Sequence, residues 1–315
     1  MATESTGDLN NLYYRVPIML LIDLSGVAYH KIINFYVNEQ EPSFEQVRHT
    51  LFTDLLDYEK QYGEQFGRMV ICCDAKPYWR SYVQPAYKAP RLKVRETSTT
   101  NSDLFYEHLA MLKQDLIEYT DYIMIDTRGA EADDIIAVLA EYAHNKKEKT
   151  VIVSSDKDMI QLQTLYTDTF QFSPNRNKML TLENTEYDLL AHILKGDTGD
   201  GIPNVFSPED FFMIEGDKPR QKSITKKIIA DVYEHYPNDM DNCETLDADS
   251  LSRFKQNQEL IDTRYTPALL KETIEVLYQT KMQQTQENRI EELLSPFEAV
   301  EEDEAAFVDT TVVKV

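Results

Sequence analysis

The sequence predicts an α/β fold with a mostly parallel central sheet flanked by helices. Short apolar runs that end in an acidic residue alternate with helical segments as far as about residue 185. An apolar run of this length is typical of a strand buried on both faces. Strands that alternate with helices form parallel sheets through βαβ units. From about residue 186 the pattern becomes helical, so we expect a second, helical region.

Four buried strands and one hairpin account for the extended segments. The strands are expected at 17–23, 68–74, 121–126 and 149–156, and the two short pieces 169–173 and 178–182 can pair as the hairpin. Ser43 to Gln46 resembles a capping box that opens a helix reaching about Tyr62. Further helices are expected at about 103–119, from the EADD motif onward and after SSD.

These changes of pattern predict four parts of the chain. They are a polar leader at 1–16, an α/β domain at 17–185 with a basic excursion at about 75–100, a helical region at 186–295 and an acidic tail at 296–315. We expect the excursion to be partly helical or mobile and the tail to be exposed. The helical region includes 266–281, where Thr and Pro precede an apolar pattern as at a helix start.

The composition limits the class of protein. With 315 residues, 42% of them hydrophobic, the chain can form one large domain or two modest ones. The net charge of −23 argues against general affinity for nucleic acid, but net charge describes solubility and encounter, not a specific site. Three cysteines without disulfide or metal spacing, no signal-peptide pattern and no run of membrane length predict a cytoplasmic protein that is not secreted.

Nine acidic residues lie in five short motifs, each where a strand ends or a helix begins. They are Asp23, Asp74, Glu131, Asp133, Asp134, Asp156, Asp158, Asp197 and Asp200. If the fold brings these turns together, the carboxylates repel one another and their pKa values rise unless cations lie among them. Oxygen ligands suit hard ions such as Mg²⁺ or Mn²⁺, and paired ions of this kind suit phosphodiester hydrolysis.

Helix capping is the alternative explanation for each acid taken alone. A single Asp at a strand end often caps a helix, and Asp156 with Asp158 opens one, so capping remains open there. EADD, however, has three acids in four residues, and KGDTGD has two in a turn where no helix needs them. The joint occurrence of five such turns on one sheet favours a metal site.

The order of the motifs resembles a known family. LLIDLSG, VICCDAKPYWR, EADDIIAVLA, VSSDKDMIQL and KGDTGDGIPNV together resemble the flap endonuclease and 5′→3′ exonuclease family. The YWR and YKxxR segments and the stretch NQELIDTRYTPALL are similar to its branch of T-even bacteriophage ribonucleases H. The resemblance covers roughly residues 17–285. It implies a PIN-like fold with a helical arch and a helix-hairpin-helix variant.

The resemblance also implies the ligand sets. One metal is assigned to Asp23, Asp74, Asp133 and Asp156, supported by Glu131, and a second metal is assigned to Asp158, Asp197 and Asp200. Asp134 is expected near the site without ligating. The expected ions are two Mg²⁺, with Mn²⁺ as a substitute. None of the six histidines has a metal-binding spacing, so none is assigned to catalysis.

The segment 75–95 has six basic residues, no acid and four aromatic residues. Cations interleaved with rings suit a single strand, although a solvated basic face with its aromatics in the core is the alternative. In the resemblance this segment is the arch, and Lys88 and Arg91 match phosphate-contacting bases that belong with the catalytic set. The further contacts expected here are Arg80, Tyr87, Lys93 and Arg95. Two prolines, Pro85 and Pro90, argue against one uninterrupted helix.

A second basic cluster lies at 218–227. Its members are Lys218, Arg220, Lys222, Lys226 and Lys227. The resemblance implies that this region grips duplex DNA, and a plain solvated helix start is the alternative. The turn after Ile202 and Pro203 is longer than the family's and lacks a Gly-x-Gly, which leaves a monovalent-cation site open.

The sequence therefore predicts a monomeric, structure-selective 5′ nuclease with 5′→3′ exonuclease, flap endonuclease and ribonuclease H activity. Its expected substrates are DNA and RNA–DNA duplexes with 5′ ends or flaps, and its expected role is primer removal from lagging-strand fragments in phage replication. The leader or the tail is a candidate docking segment for a sliding clamp or a single-strand-binding protein.

Three other functions would explain part of the sequence pattern. An inactive scaffold that binds branched DNA would lose acids of the cage, and this chain keeps all nine. A toxin-like or RNA-processing nuclease is usually shorter and lacks the arch. An acidic metal-buffering protein would not need the basic segment.

Overall fold

The structure, a computed structural model, describes residues 18–62, 68–180, 186–214 and 220–294. The predicted leader and acidic tail, together with Lys218, lie outside the described residues.

Six strands form one sheet in the order β3-β2-β1-β4-β5-β6. Their bounds are β1 Ile18–Asp23, β2 Val70–Cys73, β3 Ile123–Asp126, β4 Lys149–Val153, β5 Thr169–Ser173 and β6 Lys178–Leu180. All neighbouring pairs are parallel except β5 and β6, which form the predicted antiparallel hairpin. The predicted mostly parallel sheet is therefore confirmed.

Helices of the first half connect the strands. They are α1 Leu24–Ile32, α2 Phe44–Tyr62, α3 Arg80–Val83, α4 Ala89–Thr97, α5 Ser102–Tyr119, α6 Ala132–Asn145 and α7 Ile160–Leu165. The predicted arch segment thus contains two short helices, α3 and α4. The break between them includes Pro85, and Pro90 lies in the first turn of α4, where a missing N–H costs no hydrogen bond.

The second half is helical, as expected. Its helices are α8 Glu186–Lys195, α9 Lys226–Tyr233, α10 Ala248–Ile261, α11 Ala268–Met282 and α12 Ile290–Leu294. Between α8 and α9, an isolated bridge pairs Asp197 with Ile202. Within the described ranges, no helix combines the length and apolarity that a membrane crossing requires.

Two cores cover the two faces of the sheet. Side chains of a strand alternate between faces, so Leu20 and Ile22 pack with α1, α2 and α5, while Met19 and Leu21 pack on the other face with α6 and α11. A third core joins α8, α9 and α10 and includes Tyr87 from the arch segment. The arch is thereby packed against the helical region.

Candidate metal centre

The carboxyl ends of β1, β2 and β4 bring the first group of acids to one edge of the sheet. Asp23 is the last residue of β1, Asp74 follows β2, and Asp156 follows β4 by three residues. The strands β2 and β4 lie on either side of β1. The segments that follow β1 and β4 run toward opposite sides of the sheet. Such a reversal of strand order opens a crevice at the carboxyl edge, where α/β sheets bind their ligands.

Asp23 is almost fully buried at 6% exposure. Its carboxylate accepts hydrogen bonds from the Gly26 amide at 2.9 Å and the Ser154 hydroxyl at 2.9 Å. Position 26 requires glycine because a Cβ there would lie 2.3 Å from Asp23 Oδ2. Burial, and then repulsion by Asp74 and Asp156, raise the pKa of Asp23 to about 6 despite these hydrogen bonds. The two hydrogen bonds therefore stabilise the ionised form of Asp23 only in part.

Asp74 fixes the start of α6 relative to the sheet. Its Oδ1 accepts a hydrogen bond from the Ala132 amide at 3.0 Å, and its Oδ2 accepts one from the Ser25 hydroxyl at 2.5 Å. These contacts place Asp133, in the first turn of α6, beside the ends of the strands. Burial, followed by repulsion from Asp156 and Asp23, raises the pKa of Asp133 well above its ordinary value. Repulsion of this kind indicates an anionic site without its counter-charge.

A second group lies where α8 ends. The Asp197 carboxylate is 3.2 Å from His192 Nε2, and Asp158 Oδ1 is 3.6 Å from His192 Nδ1. In the described part of the chain, these three residues are the one set of potential ligands whose ligating atoms all lie within 4.8 Å of one another. Burial raises the pKa of Asp158 to about 6, with Asp156 and Asp197 adding to the rise and His192 opposing it. The hydrogen bond from His192 holds the pKa of Asp197 below its ordinary value.

Asp200 connects this second group to the arch. Its amide donates to Asp197 Oδ1 at 3.1 Å, and its carboxylate accepts from the Tyr87 hydroxyl at 3.2 Å. The guanidinium of Arg91 forms an ion pair with the same carboxylate. Lys88 donates its backbone N–H to the Asp200 carbonyl at 2.7 Å. The predicted phosphate-contacting residues Lys88 and Arg91 therefore lie at the metal centre.

Glu131 differs from the other acids because cations surround it. It is 1% exposed, and its carboxylate pairs with Lys88 and with Arg80 at 2.9 Å, while the Tyr87 hydroxyl donates to it at 2.8 Å. Burial alone would raise the pKa of Glu131, but Lys88 and Arg80 more than offset that effect, and the pKa is lowered. Both carboxylate oxygens have partners, so Glu131 holds the arch against α6.

The side chain of Asp134 is fully buried, and its carboxylate is surrounded by hydrogen-bond donors. Its carboxylate accepts from Trp79 Nε1 at 3.2 Å, from Thr266 Oγ1 at 3.1 Å and from the Glu131 amide at 2.9 Å, the last in a capping box of α6. It also pairs with Arg80 at 2.9 Å. These hydrogen bonds occupy both carboxylate oxygens, so Asp134 organises the residues around it.

Arg80 and Tyr87, for which a contact with nucleic acid stays a prediction, are buried in this structure. Arg80 is 4% exposed, and its guanidinium bonds to Glu131, to Asp134 and, through Nε, to the Leu260 carbonyl at 2.8 Å. Tyr87 is 9% exposed and directs its hydroxyl to Glu131 and Asp200. Their polar groups are used inside the protein, which is the alternative considered for the aromatics of this segment.

Arg95, Arg220, Lys222, Lys226 and Lys227 lie nearer the surface. Arg95 of α4 pairs with Asp103 and stands 5.0 Å from the centre of the Tyr106 ring. Lys222 stands 4.1 Å from the centre of the Phe206 ring. Arg220, Lys226 and Lys227 are exposed, the last two at the start of α9. Lys93 lies in α4. Contacts between these residues and nucleic acid stay predictions.

His192 is the residue that the sequence interpretation missed. It lies in the last turn of α8, five residues before Asp197, in the stretch HILKGD. The usable signal was a histidine near the end of a helix followed at once by an acid-bearing Gly turn. That signal does not match a known metal spacing, and it says nothing about Asp158.

The residues present fit divalent cations. The donors are mainly carboxylate oxygens, and burial together with repulsion between the acids raises the pKa values of Asp23, Asp133 and Asp158, so a bound cation would stabilise their ionised forms. Asp133, Asp158, His192, Asp197 and Asp200 line a cavity of about 30 Å³. That volume exceeds the roughly 10–15 Å³ that one water molecule needs, so an ion can be held there.

Comparisons with known proteins agree with this geometry. A family model for the 5′-3′ exonuclease N-terminal, resolvase-like domain matches residues 18–188, and a model for the C-terminal part of T4 RNase H matches residues 183–293. The ribonuclease H of enterobacteria phage T4 is 31% identical over 253 residues, which cover 78% of this chain and 81% of that protein. A 5′-3′ exonuclease of Buchnera aphidicola is 32% identical over 207 residues, covering 61% and 67%.

Solved structures share the fold. A bacteriophage T5 flap endonuclease, crystallised with DNA and metal ions, has a TM-score of 0.61 at 16% identity and covers 85% of this chain and 100% of its own. The resemblance predicted from the motifs, including that to the T-even branch, is confirmed. The chain belongs to the 5′-3′ exonuclease family, and its C-terminal region is of the T4 ribonuclease H type.

Proposed function

We propose that this chain is a structure-selective 5′ nuclease that uses two Mg²⁺ ions, with Mn²⁺ as a substitute. Its proposed substrates are 5′ ends and 5′ flaps of DNA and RNA–DNA duplexes, and its proposed role is removal of RNA primers from lagging-strand fragments in phage replication. The observation that carries the proposal is the convergence of carboxylates from β1, β2, β4 and α6 at the carboxyl edge of the sheet, where burial and mutual repulsion raise the pKa values of Asp23, Asp133 and Asp158. Such a cage is costly unless cations bind to it.

Two groups of carboxylates are the proposed ligands. Asp23, Asp74, Asp133 and Asp156 would hold the first ion, and Asp158, Asp197 and Asp200 would hold the second. When bound, a pair of such ions activates water for attack on phosphorus and offsets the charge that develops on the leaving oxygen.

The chain's own residues position the ligands. The Ser25 hydroxyl and the Ala132 amide hold both oxygens of Asp74, and the Gly26 amide and Ser154 hydroxyl orient Asp23. Buried Glu131, fixed by Arg80, orients the ammonium group of Lys88.

Lys88 and Arg91 face the crevice from the arch. In the protein alone they pair with carboxylates of the centre. A phosphodiester that enters the crevice is negatively charged, as these carboxylates are. The side chains of Lys88 and Arg91 beside it would offset the negative charge that develops in the transition state. The exposed side chain of Arg91 makes it the first contact for an incoming strand.

Nucleic-acid binding is also proposed for basic residues outside the crevice. Arg220, Lys222, Lys226 and Lys227, between α8 and the first turn of α9, would contact the duplex, and Lys93 and Arg95, on α4, would contact the single strand. They contact phosphates, not bases, so recognition depends on the shape of the substrate and binding falls as salt rises. The chain acts as a monomer in this proposal.

Cleavage of a 5′-flap duplex labelled at both ends tests the function. In Mg²⁺ we expect release of short 5′ fragments cut near the junction, and no release in chelator. Tight binding to the duplex without cleavage in Mg²⁺ or Mn²⁺ would instead favour the inactive scaffold. A second set, with an RNA primer at the 5′ end, tests the ribonuclease H activity.

Docking of replication partners is proposed for the chain ends. Deletion of 1–16 or 296–315 should leave basal flap cleavage unchanged and remove its stimulation by a sliding clamp or by a single-strand-binding protein. Stimulation that survives both deletions rejects the proposal.

A further inference from the structure

His192 lies inside the proposed second metal site, although the resemblance assigns that site to carboxylates. Its two ring nitrogens face two different acids of the site, Asp197 at 3.2 Å and Asp158 at 3.6 Å. The side chain also lines the cavity shared by Asp158, Asp197 and Asp200. A histidine in this position changes the chemistry of the donor set from oxygen alone to oxygen and nitrogen.

The backbone fixes this arrangement. The Gly196 amide donates to the His192 carbonyl at 2.9 Å and closes α8, and Gly196 has a φ of +67°. A Cβ at position 196 would lie 2.3 Å from the Ile202 carbonyl oxygen, so glycine is required. Asp197 then pairs with Ile202 in an isolated bridge. His192 and Asp197 are thus held at a set distance by the helix end and the turn.

The distances suit neighbouring ligands of one ion. Two ligands about 2.1 Å from a metal and 90° apart at the metal are roughly 3 Å from each other. The contact of 3.2 Å between Nε2 and Asp197 is near that value, and the potential ligand atoms of all three residues lie within 4.8 Å. One ring nitrogen can ligate while the other donates its N–H to the carboxylate that faces it, as metal-bound histidines commonly do.

We propose that His192 is a nitrogen ligand of the second metal site and that this site therefore favours Mn²⁺, Co²⁺ or Zn²⁺ over Mg²⁺ more strongly than the first site does, although Mg²⁺ still binds to both. The inference rests on the second site of the proposed function. Imidazole binds borderline transition ions better than it binds Mg²⁺, which prefers oxygen. The first site, assigned to carboxylates, keeps the preference for hard ions. The two sites of one crevice would then differ in the metal they select.

Spin-echo spectroscopy of bound Mn²⁺ tests the nitrogen ligand directly. Full-length protein loaded with Mn²⁺ should show ¹⁴N modulation from a coordinated imidazole. The modulation should disappear in His192→Gln and in Asp158→Asn. It should persist in His144→Gln, which changes an exposed histidine at the end of α6. Absence of ¹⁴N modulation in the wild type, or its persistence in His192→Gln, overturns the proposal.

Calorimetric titration supplies the second readout. His192→Gln should weaken Co²⁺ or Mn²⁺ binding at one of two sites by about 10–100-fold, the range seen when a metal site loses a well-placed partner. Mg²⁺ affinity should change far less. If His192→Gln instead tightens Mn²⁺ binding, the imidazole competes with the ion as an internal cation, and the proposal is wrong.

The two proposals fail separately. Flap cleavage without ¹⁴N modulation would reject the ligand and leave the nuclease intact. Modulation without cleavage in any metal would keep the ligand and reject the nuclease.

Discussion

The ammonium group of Lys88 forms an ion pair with the buried carboxylate of Glu131, which joins the arch to the first turn of α6. Lys88 also has a left-handed backbone, with a φ of +58°, directly before α4. The same amine stands 4.9 Å from the centre of the Tyr78 ring. Although burial by itself lowers the pKa of Lys88, Glu131 and Asp200 raise it, so the amine is charged when substrate arrives.

Substitution of Lys88 separates these chemical and conformational roles. Lys88→Ala and Lys88→Gly both remove the amine, and both should reduce single-turnover cleavage to a similar extent, by about 10²-fold or more. Glycine accepts the left-handed conformation without a steric penalty, so Lys88→Gly should be about 1 kcal/mol more stable than Lys88→Ala. Urea unfolding measures the difference. A cleavage rate that differs tenfold between the two variants would show that backbone geometry, not the amine, controls activity.

Removal of Arg80 should lower the stability of the fold and should have no specific effect on substrate binding. Arg80→Met leaves the buried carboxylates of Glu131 and Asp134 without their shared cation, and loss of one partner of a buried pair costs about 3–5 kcal/mol. Thermal unfolding measures the loss. Arg95→Met, on the exposed side of α4, is the matched control and should change stability little. A normal melting temperature for Arg80→Met together with weak DNA binding would instead support a direct contact between Arg80 and nucleic acid.

Asp133→Asn should abolish cleavage, leave DNA binding largely intact and, without metal, stabilise the fold. The substitution removes a charge that burial and the neighbours Asp156 and Asp23 make unfavourable. It also removes a proposed ligand, for which we expect a loss of about 10³-fold or more in the rate. Flap cleavage, DNA affinity by anisotropy and the melting temperature in chelator check the three parts. Asp57→Asn, exposed on α2, is the control and should change none of them.

Metal should stabilise the protein more at neutral than at acidic pH. The pKa of Asp23 and that of Asp158 are about 6 in the fold, against an ordinary value of 3.8. The folded state therefore holds these protons more tightly, and the stability they contribute is complete below pH ~4 and is lost as the pH rises through about 6. In chelator, the melting temperature should fall across that interval.

Mg²⁺ should reverse this loss because it binds the ionised carboxylates. At about 100 times the dissociation constant the gain is about 2.7 kcal/mol, or roughly 4 °C in the melting temperature at pH 7.5 for a chain of 315 residues. At pH 5, protons compete for the same oxygens and the shift should be much smaller. Equal shifts at both pH values, or an undiminished shift in Asp23→Asn, would contradict the assignment of these ligands.

Local patterns were sufficient for the sheet and for the acids. A buried parallel strand must be apolar on both faces, so LLID and VICC indicate strands without knowledge of their neighbours. An acid at the carboxyl end of each strand reaches the same edge of the sheet once the strands are parallel. The pattern therefore places Asp23, Asp74 and Asp156 at one edge of the sheet, whereas their assignment with Asp133 to one metal came from the family resemblance.

Tertiary structure decided which polar groups have partners. Arg80 and Tyr87 carry the same sequence signal as Arg91, yet Glu131 and Asp134, 51 and 54 residues further along, hold Arg80 in the interior. The sequence signal at His192 could not assign a ligand, because Asp158, which faces one of its nitrogens, lies on another element. Strand and helix patterns depend on neighbours in the chain, and they follow from the sequence by itself. Desolvation and pairing of charges depend on neighbours in space, and only the packing of α6, α8 and the arch against one another determines those.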